Sequence, residues 1–102
     1  MKVLIFTALA LSLPAVAAER AIEQKNREFS QTELTIHPGD VVVFKNSDEV
    51  AHNVFSISKG MEFDIRRQAP GGSSAVPFKN TGEAEVRCSI HPKMKLIIKV
   101  VK

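Results

Sequence analysis

The sequence predicts an all-β sandwich. Short runs rich in β-branched and aromatic residues recur along it, and clusters of Gly, Pro, Asn and Ser separate them. From Glu83 to Cys88 apolar and polar residues alternate strictly, the mark of a strand with one buried face, and the last run likewise places Leu96, Ile98 and Val100 together.

The first residues stand apart from this pattern. Lys2 is followed by the apolar stretch Val3 to Leu13, then Pro14 and the small residues Ala15-Val16-Ala17-Ala18. These are the three parts of a secretory signal. The stretch is too short to anchor in a bilayer, whose core needs about 20 apolar residues. Cleavage is expected after Ala17 or Ala18. Residues 1–18 are then the signal peptide, and residues 19–102 form one exported, periplasmic domain with no membrane insertion.

The elements follow in order. Ala21 to Glu28 can be read as helix or strand and is taken as the first strand. Leu34-Thr35-Ile36 is a strand closed by the turn cluster His37-Pro38-Gly39-Asp40. Val41-Val42-Val43-Phe44 has strong strand composition, and Asn46-Ser47-Asp48-Glu49 reads as a loop. His52 to Ile57 is a further short strand, and Pro70-Gly71-Gly72-Ser73-Ser74 is a break. After the turn Asn80-Thr81-Gly82, the run from Glu83 directs Ala84, Val86 and Cys88 to the core and Glu83, Glu85 and Arg87 outward. Lys95 to Lys102 likewise puts Leu96, Ile98 and Val100 on one face.

Composition narrows the function. A domain of this size buries only about 60% of its unfolded surface, and small exported domains often add disulfides. One cysteine forbids an internal bridge. An odd cysteine in an exported chain is explained by metal ligation, by burial as an inert thiol, or by a bridge to another chain. Fourteen basic and eleven acidic side chains give a mildly basic protein with no clustered basic patch, so nucleic-acid binding is not expected.

The chemistry concentrates in Cys88-Ser89-Ile90-His91-Pro92-Lys93-Met94 and in His52, 36 residues before the cysteine. Two imidazoles, one thiolate and a weak axial thioether are the ligand set of a blue-copper electron-transfer centre. Cys88 ends one strand and Lys95 begins the next, so the loop between them presents His91 and Met94. His52, on a different strand, is expected to reach the metal from across the sandwich. All positions are then filled by protein, whereas catalytic metal sites keep one open, so catalysis is not expected. Zinc would accept Cys and His, but Met94 favours copper. His37 reads as a solvated surface residue, and Met61 as packing or exposed rather than a ligand.

Val86 to Met94, with Asn46 to Val54, resembles the cupredoxins, most of all amicyanin and the small plastocyanin-like members. The Cys-x2-His-Pro-x-Met loop has the amicyanin spacing. The resemblance spans about Ile22 to Lys102. It departs at Ala51, where the family often has Pro, and at Phe55, where amicyanin has a further His. It implies a Greek-key β-sandwich with one type 1 copper ion held by His52, Cys88, His91 and Met94. It also implies that Asn46 hydrogen-bonds near the cysteine sulfur and ties the two ligand loops together. His91 becomes the electron port, Pro92 and Met94 contribute to an apolar patch around it, and Lys93 and Lys95 rim that patch. The expected function is a monomeric periplasmic carrier moving single electrons between redox proteins through Cu(I)/Cu(II), with acidic partners if the lysines guide docking. The alternative is a copper carrier or buffer delivering the metal to an enzyme.

Overall fold

The computed structural model describes residues 17–102, so the signal reading falls almost wholly outside the described residues. Among the described residues there are nine strands and no helix: β1 (Glu19–Lys25), β2 (Glu28–Phe29), β3 (Glu33–Ile36), β4 (Val41–Asn46), β5 (Val54–Ser56), β6 (Phe63–Asp64), β7 (Ser73–Pro77), β8 (Gly82–Cys88) and β9 (Lys95–Val100). They form a four-stranded sheet in the order β2-β1-β4-β7 and a five-stranded sheet in the order β3-β9-β8-β5-β6. β1 runs parallel to β4 and β3 parallel to β9; the other pairs are antiparallel.

Alternation decides what each strand buries. Ala84, Val86 and Cys88 on β8 and Leu96, Ile98 and Val100 on β9 are buried, as their pattern requires. Val42, Phe44 and Ile22 meet them from the other sheet, and Leu34 and Ile36 lie beside them on β3. Phe44 sits in a ladder of rings, edge-on to Phe29 at 6.5 Å and stacked on Phe63 at 5.8 Å. Phe63 in turn meets Phe78 edge-on at 5.8 Å. Met61 is buried in this core, and His37 is exposed.

The first strand is shorter than its sequence suggests. β1 ends at Lys25, and Asn26 and Arg27 both take left-handed conformations, φ 54° and 56°, before β2 returns beside it. That is a two-residue hairpin turn whose twist matches the flanking strands. The pairing reaches one residue before Glu19, because Val41 N–H donates to Ala18 O at 2.9 Å. Two strands, β6 and β7, lie in segments the sequence did not mark as strands. β7 begins within the Gly-Ser break, buries only Val76 among its five residues, and ends on Pro77, which a sheet edge tolerates.

Candidate metal centre

Cys88 is the last residue of β8, and its alternation carries the thiol inward, where it is 1% exposed. β5 runs beside β8 in register Val54↔Cys88. His52 lies two residues before β5 and therefore arrives beside Cys88 from the β5 side of the same sheet. The expectation that it crosses the sandwich is corrected, because β5 and β8 share one ladder. Beyond β8, Arg87 Nη1 donates to Pro92 O at 3.0 Å and pairs with Glu85, which straps the 88–94 loop to its own strand. Met94 N–H donates to His91 O at 3.0 Å, a tight turn that ends with the Met94 side chain buried.

These pieces bring three donor atoms together. Cys88 Sγ lies 3.6 Å from His52 Nδ1 and 3.9 Å from His91 Nδ1, and the two nitrogens are 3.1 Å apart. The point equidistant from corners at those spacings is about 2.1 Å from each, a length suited to nitrogen and thiolate bonds to a first-row metal. The donor set is soft and imidazole-rich, which fits copper. His52 is fully buried and His91 half-buried. Burial, then the neighbouring His52, lowers the pKa of His91, which keeps its imidazole neutral and able to bind metal.

The role expected of Asn46 belongs to another residue. Asn46 Nδ2 donates to Val50 O at 2.9 Å and to Gln68 O at 3.0 Å, which braces the loop before His52 but makes no hydrogen bond to Cys88. Asn46 closes β4 in the opposite sheet. The sulfur instead receives the backbone N–H of Asn53 at 3.4 Å, and Asn53 O accepts Ser89 N–H at 3.0 Å. Asn53 follows His52 directly, so the ladder itself ties the two ligand segments.

Two further contributors, Gln68 and Asp48, were not legible as site residues. Gln68 exchanges both backbone hydrogen bonds with His52, at 3.0 and 2.7 Å. Its side chain accepts from Gln24 Nε2 at 2.7 Å and donates to Phe44 O at 2.9 Å, so His52 is anchored to the opposite sheet. Asp48 Oδ2 faces His52 Nε2 at 3.0 Å. Only the four-residue offset from His52 hinted at this, and a loop carboxylate at that offset is ordinary.

Around the centre, Arg27, Ile90, His91, Pro92 and Lys93 line a shallow hollow of about 280 Å³. Ile90 is 48% exposed beside the half-buried His91. Arg27 thus joins Lys93 on the rim, while Lys95 lies 3.9 Å from Glu85.

Residues 16–101 match the model of the copper-binding proteins of the plastocyanin/azurin family. The chain belongs to that family. Copper is accordingly its cofactor, and the cupredoxin sandwich expected from the sequence is its fold. It is 28% identical over 94 residues to the methylamine utilization protein MauL of Methylorubrum extorquens, covering 91% of this chain and 82% of the relative. Among solved structures, a purple cupredoxin from Nitrosopumilus maritimus superposes with a TM-score of 0.72 at 23% identity, over 80% of this chain and 99% of the other. A reduced point variant of amicyanin gives 0.76 at 18% identity, over 86% of this chain and 87% of the other. A copper-containing nitrite reductase from Thermus scotoductus gives 0.77 at 26% identity over 82% of this chain, but the chain spans only 22% of that enzyme.

Proposed function

We propose that this cupredoxin is a periplasmic, single-copper electron carrier whose metal is held by His52, Cys88, His91 and Met94. The observation that carries this reading is the triangle of His52 Nδ1, Cys88 Sγ and His91 Nδ1, all within 4.8 Å of one another, with Met94 buried at the end of the same loop. Copper bound there supplies a one-electron couple between Cu(I) and Cu(II). The protein's part is to hold the ligands, exclude water and offer a contact face. Cys88 ends β8 and His52 leads into its neighbour β5 while bridged to Gln68, so the scaffold sets two donors. His91 reaches the half-open side, where Ile90 and Pro92 give a partner an apolar landing and Arg27 and Lys93 favour an acidic one.

Export rests on the leader pattern of residues 1–18. The test is the visible and electron-spin-resonance spectrum of residues 18–102 with Cu(II), followed by voltammetry. An intense thiolate-to-copper band with a reversible one-electron wave supports the carrier. Copper lost rapidly to a chelator, with no reversible wave, would replace this reading by copper delivery.

A further inference from the structure

Asp48 occupies a place that the ligand set alone does not require. β4 ends at Asn46, and Asn46 Oδ1 accepts the Asp48 N–H at 3.0 Å, which curls the chain inward. The Asp48 side chain is consequently only 10% exposed. Each of its oxygens is engaged. Oδ1 accepts Glu49 N–H at 2.9 Å; Oδ2 accepts Arg27 N–H at 2.8 Å and faces His52 Nε2 at 3.0 Å. The Arg27 donor is aimed by the left-handed β1–β2 hairpin turn, in the same sheet as β4. Every hydrogen-bond partner of this carboxylate is an N–H group or ring nitrogen, and an aspartate that is ionised at neutral pH can only accept.

The consequence for His52 is chemical. Nε2 meets an anion that has no proton to give, so the ring proton belongs on Nε2 and Nδ1 carries the lone pair. Nδ1 is the atom that faces Cys88 Sγ. We propose that Asp48 is a positioning residue that fixes this tautomer of His52 and places a permanent negative charge behind the copper, biasing the centre toward Cu(II). The proposal rests on the copper reading above. The sign follows from electrostatics: Cu(II) carries one more positive charge than Cu(I), and an anion behind a buried imidazole is poorly screened. The Arg27 N–H keeps that anion oriented, so the hairpin of one sheet acts on a ligand of the other.

Asp48→Asn removes the charge at nearly constant shape. The ratio of Cu(II) to Cu(I) affinity should fall at least tenfold, which raises the one-electron potential by about 59 mV or more. Glu49→Gln removes an equal charge one residue away, from an exposed side chain that does not touch His52, and should change the ratio less than twofold. An Asp48→Asn potential equal to that of the native protein, or to that of Glu49→Gln, overturns the proposal. A second measurement needs no variant: nitrogen-15 NMR of the metal-free native protein should find the His52 proton on Nε2. A proton on Nδ1 overturns the proposal whether or not the variant folds. A native protein that forms no blue centre would refute the copper reading instead, and would leave the His52–Asp48 proton assignment to be judged by NMR alone.

Discussion

Val54 and Cys88 are direct partners in the β5–β8 ladder, and that register brings His52, two residues before β5, up beside the thiol. Backbone pairing on either side of Asn53, Val54 with Cys88 and His52 with Gln68, therefore sets the distance between His52 and Cys88.

Cys88→Ala should remove the blue band and leave the β-sandwich folded, because the ladder does not depend on the thiol. Circular dichroism and the copper spectrum check both halves. An unchanged copper spectrum would refute Cys88 as a ligand. Met94→Gln should keep the colour and lower the potential, since the axial ligand tunes a blue-copper centre.

Asn46→Ala should destabilise the metal-free protein by about 1–3 kcal/mol, because it leaves the carbonyls of Val50 and Gln68 without their donor. Urea unfolding measures this. The copper band should keep its position, since Asn53 rather than Asn46 contacts the sulfur. A shifted band in Asn46→Ala would restore the role expected from the sequence.

The difference between Asn46 and Asn53 shows what the sequence carries and what it does not. The strands β4, β8 and β9 announce themselves through composition and alternation, and the donors Cys88, His91 and Met94 through their spacing. Which asparagine touches the sulfur depends on inter-strand register, and no local pattern encodes register. The same holds for Gln68, whose partners Gln24 and Phe44 lie 44 and 24 residues away. β7 escaped notice because an edge strand buries little and needs little apolar sequence.

Lys93→Glu should slow association with an acidic redox partner several-fold at low ionic strength, and the difference should shrink beyond roughly 0.1 M salt. Lys95→Glu should do less, because Glu85 already lies beside Lys95. Stopped-flow rates across a salt series decide it. Equal rates for Lys93→Glu and native protein at low salt would leave Lys93 as a solvated surface charge.

Asp40 ties the residue before β1 to the turn before β4. His37 N–H, at 2.9 Å, and Ala18 N–H, at 3.0 Å, lower the pKa of its carboxyl, in that order. The lowered pKa means that Asp40 stabilises the fold above the ordinary carboxyl range and loses that contribution as pH falls through the lowered value. Asp40→Asn should therefore lower the melting temperature at neutral pH, with the gap closing in acid.

His91 should titrate below its ordinary range in the metal-free protein, because burial and then His52 oppose its positive charge. NMR titration reads this directly. In the reduced protein, protonation of His91 would compete with Cu(I), so the potential should rise as pH falls below the His91 pKa of the Cu(I) form. A flat potential with both imidazoles metal-bound throughout would refute this.

The borders of the two sheets have a consequence for life at high concentration. β2 and β6 are two residues long, β3 is four, and β7 ends on a proline. A growing aggregate recruits monomers through long, flat, unpaired strand edges, and none of these four margins offers one. Pairing of a second copy edge-to-edge onto β2, β3, β6 or β7 is accordingly disfavoured.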